Sequence, residues 1–203
     1  MSENKLLCFY DTETTGLPLF KQPSTDPSQP HLVDVAALLY DAEGNLVDSF
    51  EAIITPDGWV IPEQAASVHG ITTEMANDLG IPESEALEGF MEIHEKAGIR
   101  VAHNQAFDDR IMRIALLRFM SEEAADAYRG AAGFCTMKAS RDIVKIPPTD
   151  RMVRAGFKHY KNPTLAEAYM FFTGNELEGA HRAKADAEGC AKVYFALEAM
   201  ADD

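Results

Sequence analysis

The chain has 203 residues, 46% of them hydrophobic and 25% charged, and 18 Lys and Arg against 33 Asp and Glu give it a formal net charge of −15. Such a composition excludes disordered and collagen-like classes, and the length suits one domain over residues 1–203 with a core of its own. The acidity excludes a protein that coats duplex nucleic acid by neutralising phosphates, but not one that grips a single end.

No apolar run approaches the roughly 18 residues of a membrane span, and no signal cleavage site follows Met-Ser-Glu-Asn-Lys at the start. A cytoplasmic protein without a membrane partner is expected. Cys8, Cys135 and Cys190 lie in apolar stretches and read as buried, reduced thiols.

In chain order, Lys5–Tyr10 is apolar, ends against Asp11–Gly16, and reads as a buried strand. The Pro-, Ser- and Asp-rich stretch Leu17–Gln29 reads as a surface loop. Val33–Tyr40 and Leu46–Ile54 flank Asp41-Ala-Glu-Gly-Asn45 and predict a hairpin. Helices follow near Pro62–Val68, Thr73–Leu79 and Glu83–Ala97, the last closed by Gly98. Ile99–Ala102 predicts a fourth strand and Phe107–Met120 a helix with Phe107, Ile111, Ile114 and Ala115 inward. Phe134–Met137 predicts a fifth strand. Residues 138–163, broken by Pro147-Pro148, Gly156 and Asn162-Pro163, read as a basic irregular segment. Thr164–Phe172 and Arg182–Met200 are the closing helices. The order of elements predicts an α/β fold, a central mixed five-stranded sheet flanked by helices.

The chemistry lies where these elements meet. Asp11-Thr-Glu13 ends the first strand, and residues i and i+2 of a strand share a face, so both carboxylates aim at one site. His103-Asn-Gln-Ala-Phe-Asp108 joins the fourth strand to its helix, and His181-Arg-Ala-Lys-Ala-Asp186 opens the last helix. A doubly wound sheet gathers strand exits and helix starts at one edge, where ligands bind. Asp11, Glu13, Asp108 and Asp186 would meet there. Four carboxylates repel unless a cation is the intended occupant, and two divalent ions balance them. An oxygen-only ligand set suits Mg2+ or Mn2+, the two-ion clamp of phosphodiester hydrolysis. His181, outside the helix and five residues before Asp186, is placed to act as general base.

Asp-Thr-Glu-Thr-Thr-Gly, His-Asn-x-x-Phe-Asp and His-x-Ala-x-x-Asp, in that order, resemble the three motifs of the DEDDh family, the DnaQ-like 3′→5′ exonucleases of the RNase H-like superfold. Ser67-Val-His69-Gly-Ile-Thr72 resembles a Val-His-Gly-Ile segment of the same family. The resemblance spans residues 6–197. It implies that Asp11, Glu13, Asp108 and Asp186 hold two Mg2+ or Mn2+ ions and that His181 is the base. It implies further that Thr14, Thr15 and Gly16 meet the terminal nucleotide, with His69, His103, Asn104 and Phe107 lining its pocket. By the motif, Asp108 rather than its neighbour Asp109 is the ligand. Where many relatives have Asp-Thr after the fifth strand this chain has Cys135-Thr136, so no polar role is expected there.

The implied activity is release of nucleoside 5′-monophosphates from the 3′ end of nucleic acid, single-stranded DNA above all. RNA trimming stays open, because nothing in the sequence identifies a reader of the 2′-hydroxyl. A DNA polymerase or replication partner is also compatible with the resemblance. Two other classes were weighed, a non-catalytic polymerase-associated binding subunit and a structural Ca2+ site, but neither uses His181 together with all four acids. Lys138–Lys161 carries seven basic and two acidic residues and reads as a flap over the substrate strand, with Phe157, His159 and Tyr160 available for stacking. His31, His94 and Trp59 read as packing residues.

Overall fold

The computed structural model of the chain describes residues 6–201. The expected start of the first strand at Lys5 lies outside them. Strand β1 (Leu7–Thr14) is central, and its residues alternate between two covered faces. Cys8 and Tyr10 point to one core and Leu7 and Phe9 to another, and all four are buried. β1 pairs antiparallel with β2 (Leu32–Tyr40), which pairs antiparallel with β3 (Leu46–Ile53). The intervening turn is the expected one: Asp41 Oδ1 accepts from the Asn45 amide at 2.8 Å, and Gly44 takes φ 84°. On its other side β1 runs parallel to β4 (Ile99–Ala102), and β4 to β5 (Gly133–Cys135), which gives the order β3-β2-β1-β4-β5.

β1 does not stop at Tyr10. It continues through the acidic residues because β2 goes on pairing beside it, with Asp11 opposite Ala36 and Glu13 opposite Asp34. The register slips between Glu13 and Thr14, where the strand leaves the sheet.

Helices α1 (Glu63–His69) and α2 (Thr73–Leu79) lie where expected, and Gly70, at φ 75°, ends the first in a left-handed turn. α3 (Glu83–His94) ends before Gly98, whose amide instead joins the sheet by donating to the Leu6 carbonyl. α4 (Gln105–Phe119) buries Ile111, Met112, Ile114, Ala115 and Leu116, while Phe107 is half-buried at the site edge. α5 (Glu122–Gly130) is a helix the sequence pattern does not announce. It buries only Ala125 and Tyr128 and is started by Ser121, whose hydroxyl accepts from the Ala124 amide.

The expected irregular segment is partly helical, which corrects the reading of residues 138–163. α6 (Thr136–Val144) turns its buried Thr136 and Ser140 inward, with the Ser140 hydroxyl donating to the Thr136 carbonyl. α7 (Asp150–Arg154) is a short exposed helix capped by Thr149. α6 also packs Ala139 and Ile143 against the core of Ala168, Tyr169, Val193 and Leu197, but at 9 residues it is shorter than the stretch over which a period shows, and the 5-residue α7 buries nothing. α8 (Leu165–Thr173) has a capping box between Thr164 and Glu167 and ends at Gly174. α9 (Ala183–Ala201) lays small residues, Ala183, Ala187, Cys190 and Ala191, against β1 and β2, and the helix axis comes close to the sheet.

The α3, α4 and α5 side holds one core and the α9 side the other, with α8 packed behind α9. Cys8 and Cys190 are buried, whereas Cys135 at the sheet edge is half-buried, a correction to its expected burial. His94 packs between Phe90 and Tyr128, and His31 stacks on Trp59 at 4.6 Å. No helix among the described residues is long and apolar enough to cross a membrane.

Candidate active site

Three chain segments end at one edge of the sheet: the exit of β1, the first turn of α4 and the first turn of α9. Asp11 and Glu13 share the β1 face that looks toward α9, the helix that carries Asp186. Thr12 faces the other way and ties β1 to α4. Its amide donates to Asp108 Oδ1 at 3.1 Å and its hydroxyl to the same oxygen at 2.8 Å. One carboxylate oxygen of Glu13, one of Asp186 and one ring nitrogen of His181 lie within 4.8 Å of one another.

The carboxylates feel their confinement. Burial, reinforced by Asp108, Asp186 and Glu13, raises Asp11 well above the carboxylate range. Burial, then Asp186, Asp34 and Asp108, pushes Glu13 up to about 8. Asp108 is raised by burial against the opposing hydrogen bonds from Thr12, and Asp186 by burial against His181. Asp186 Oδ1 is buried with no hydrogen-bond partner among the described residues, while Oδ2 accepts from the His181 amide at 3.1 Å. An orphaned, desolvated carboxylate oxygen in a cluster of acids is what a divalent cation would satisfy, so these residues could hold one.

His181 is exposed and sits at φ 67°, a left-handed conformation that a non-glycine residue adopts only when its surroundings hold it there. The restraint comes from Asp34, a residue the motifs did not single out. Asp34 is 3% exposed and faces Glu13 across the β1–β2 pair. Its Oδ2 accepts from Arg182 Nε at 2.9 Å and from the Ala183 amide at 3.3 Å, so it clamps both residues after His181. The available signal was an acid inside the otherwise apolar strand Val33-Asp-Val-Ala-Ala-Leu.

Asp109 goes elsewhere. It pairs with Arg100 at 2.9 Å and accepts from the Tyr10 and Tyr128 hydroxyls at 2.6 and 3.1 Å. The two adjacent acids thus occupy different sides of α4.

Beside Glu13 opens a cavity of about 680 Å3, and Thr14, Thr15, Gly16, His69 and Phe107 are among its lining residues. His69 Nδ1 accepts from the Ile71 amide at 3.1 Å, which leaves the proton on Nε2. That Nε2 is buried without a partner among the described residues, and burial keeps the ring neutral by lowering its pKa. His69 is therefore a fixed neutral donor at the cavity wall.

His103 and Asn104 do not line this cavity, a correction to their expected place. The His103 ring is engaged on both nitrogens, with Thr136 Oγ1 at 2.9 Å and the Pro163 carbonyl at 3.0 Å. Asn104 is exposed at φ 66° and turns the chain into α4 without capping it. Thr136 has the polar role that the missing Asp-Thr pair seemed to remove: fully buried, it joins β5 to β4 through His103. Of the basic segment, Phe157 and Tyr160 are exposed, and Lys161 is tied to Glu167 at 2.6 Å.

A family model described as RNase_T, exonuclease, matches residues 8–194. The chain is 27% identical over 188 residues to a DNA polymerase III subunit epsilon of Aquifex aeolicus, covering 92% of this chain and 77% of that protein. It is 27% identical over 189 residues to a DNA polymerase III PolC-type of Lacticaseibacillus paracasei, covering 93% of this chain and 11% of that protein. With a PolC-type polymerase of Thermotoga petrophila it shares 31% identity over 118 residues, 58% of this chain and 8% of that one. The chain thus spans only about a tenth of these PolC-type relatives. Among solved structures, E. coli exonuclease I in complex with a dA16 oligonucleotide has a TM-score of 0.71 at 20% identity, over 96% of this chain and 41% of that one. The mixed five-stranded sheet and its helices are the RNase H-like fold of that structure. With the family model covering all but the ends, and the carboxylate cluster at the sheet edge where its motifs converge, the chain belongs to the exonuclease family.

Proposed function

We propose that the chain is a DEDDh-type 3′→5′ exonuclease that releases nucleoside 5′-monophosphates from the 3′ end of nucleic acid, with single-stranded DNA as its main substrate and the cytoplasm as its setting. The observation that carries this reading is that Glu13, Asp186 and His181 come within 4.8 Å of one another, that Asp11 feels Asp108, Asp186 and Glu13, and that a cavity opens beside Glu13. Similarity to DNA polymerase III relatives supports DNA over RNA and makes a replicative polymerase a fitting partner.

In this reading Asp11, Glu13, Asp108 and Asp186 hold two Mg2+ or Mn2+ ions. When bound, such ions lower the pKa of an attacking water and stabilise the leaving oxygen. The remaining work belongs to the protein. His181 takes the proton of the water, its exposure leaving the ring free to turn toward solvent and discharge it. Asp34 and Arg182 hold the His181 turn in register with β1. Thr14, Thr15 and Gly16 present backbone groups to the terminal sugar as β1 leaves the sheet. The neutral His69 ring, held beside the Thr14 backbone, shapes the cavity wall, and the half-buried Phe107 offers a ring against the terminal base.

The test is hydrolysis of 5′-labelled single-stranded DNA, duplex DNA and RNA by the purified protein in Mg2+ or Mn2+, read as ladders. Shortening from the 3′ end, fastest on single-stranded DNA, is expected. Cutting within a closed circle overturns the end-directed mechanism, and faster loss of RNA overturns the choice of substrate.

A further inference from the structure

The acidic excess of this protein makes an arginine-lined cleft between α4 and α5 conspicuous. Residues 1–99 carry 3 basic and 18 acidic side chains. Beyond Phe107, however, α4 presents Arg110 and Arg113, and Arg129 reaches the same place from α5. With Ser24, Thr25 and Leu117 they line an open cleft of about 740 Å3, which a single acid, Glu122, shares.

Each guanidinium has capacity left over. Arg129 is exposed and has no carboxylate at ion-pair distance among the described residues. Arg113 meets Asp126 at 2.9 Å, but that carboxylate is 57% exposed, and exposed pairs exchange partners easily. Arg110 donates through Nη2 to the Gln22 carbonyl, while its Nε is shielded from solvent with no partner among the described residues. A desolvated guanidinium N–H without an acceptor is costly, and an anion in the cleft would relieve it.

Three arginines with Ser24 and Thr25 hydroxyls nearby make a donor set suited to phosphate oxygens. Two chain segments lead there from the nucleotide cavity. Arg110 follows Phe107 by about one helical turn, roughly 4.5 Å along the axis. Ser24 and Thr25 belong to the loop that leaves the cavity at Gly16. We infer that this cleft binds the phosphodiester backbone of the strand upstream of its terminal nucleotide, a second anchor separate from the carboxylates. This rests on the exonuclease reading for what fills the cavity, whereas phosphate affinity in the cleft requires no turnover.

The consequence is length dependence. A strand long enough to span both sites binds more tightly than one that fills only the cavity, despite the acidic body. The test is fluorescence anisotropy in EDTA with 5′-fluorescein oligothymidylates of about 4 and about 16 nucleotides, the span of common single-strand sites. R113E/R129E should weaken the long strand by about tenfold or more and reduce its salt slope by about 0.7 per lost contact, with the short strand unchanged. R113Q/R129Q, which adds no acid beside Glu122, should give the same direction with an unchanged Tm. K96E/K192E, an equal change of charge away from the cleft, should leave both strands as in wild type. Equal losses on both lengths, or the same loss in K96E/K192E, overturn the assignment. The two readings fail separately. If R113E/R129E degrades long strands from the 3′ end at wild-type KM, the cleft falls and the exonuclease stands. If length-dependent binding vanishes in that variant while wild type cuts nothing, the cleft stands and the exonuclease reading falls.

Discussion

Asp108 and Asp109 are adjacent on α4, yet Asp108 Oδ1 accepts two hydrogen bonds from Thr12 at the carboxylate cluster while Asp109 pairs with Arg100 at 2.9 Å on the other side. A helix rotates about 100° per residue, and here that rotation separates a group poised for a ligand from one that holds the core together. Arg100 is 5% exposed, and it also donates to the Tyr128 and Ala131 carbonyls at 2.7 Å each. Asp109 is the counter-charge that makes its burial tolerable.

The two substitutions should therefore fail differently. Asp109→Ala strands the Arg100 guanidinium and should destabilise the protein by about 3–5 kcal/mol, the usual result of removing one partner of a buried pair. Asp108→Ala should abolish turnover with a smaller loss of Tm, because burial already disfavours its charged form and its partners are the Thr12 amide and hydroxyl rather than a buried cation. Thermal melts and single-turnover rates on the two purified variants decide the matter. A stable Asp109→Ala with no activity would exchange the roles.

The five-stranded mixed sheet and the meeting of acids at its edge were legible because each rests on a local signal, apolar runs bounded by turn residues and acids at fixed offsets from strand ends. What was hidden depends on tertiary pairing. Asp34 is one acid in an apolar strand until β2 is placed in register with Glu13 and α9 brings Arg182 to it. His103 carries the same motif signature whether its ring faces substrate or, as here, Thr136 and Pro163. α5 and α6 were missed although both are amphipathic, because each has only 9 residues, fewer than the window over which a helical period is read, and what they bury is mostly small or polar.

Metal-free stability should depend on pH with a sign set by the cluster. Glu13 moves from an ordinary 4.5 to about 8, so between those values the folded state binds more protons than the unfolded one. Stability then falls as pH rises through that window. His94, pushed down by burial from 6.5 to about 4, acts only below 6.5, where the unfolded state takes the proton and stability falls with falling pH. Scans between 6.5 and 8 thus isolate the carboxylates. In EDTA, Tm should drop across this range, and adding Mg2+ or Mn2+ should flatten the trend. Glu13→Gln should melt above wild type in EDTA at the alkaline end and gain less from metal. A lower Tm for Glu13→Gln there would contradict the repulsion argument.

His181→Ala should lower kcat by roughly 10²–10⁴, the usual contribution of a positioned base, with Tm unchanged because the ring is exposed. Divalent-ion affinity, measured calorimetrically, should move little if the ring handles protons rather than ligating. A kcat within a few-fold of wild type assigns the proton to another group.

Asp34→Ala tests positioning without touching a reacting group. It frees Arg182 and leaves the Ala183 amide unpaired, so the left-handed turn at His181 loses its restraint. We expect kcat to fall by roughly 10- to 100-fold, as for a small misplacement of a catalytic group, with KM nearly constant. Asp34→Asn keeps an acceptor oxygen and should recover most of the rate. Equal kcat in Asp34→Ala and wild type would mean that the turn holds itself.

The state of the 3′ end should matter most of all. At the exit of β1 the Thr14 hydroxyl donates to the Gly16 carbonyl at 2.7 Å, and the Thr15 amide donates to the His31 carbonyl at 3.0 Å. The backbone directly after Glu13 is therefore fixed against one wall of the cavity. A 3′-phosphate would set further negative charge beside Glu13 and its three companions, whose burial, joined at Asp11 and Glu13 by repulsion from neighbouring acids, already raises their pKa values. Base pairing must also be broken before a terminal base can reach Phe107, so blunt duplex ends should react more slowly than single strands. Matched 5′-labelled strands ending in 3′-hydroxyl or 3′-phosphate provide the measurement, with a blunt duplex alongside. We expect the phosphate to block release of the first nucleotide and the duplex to lag. Equal first-turnover rates on the two single strands would place the terminal sugar outside the reach of Glu13 and Thr14.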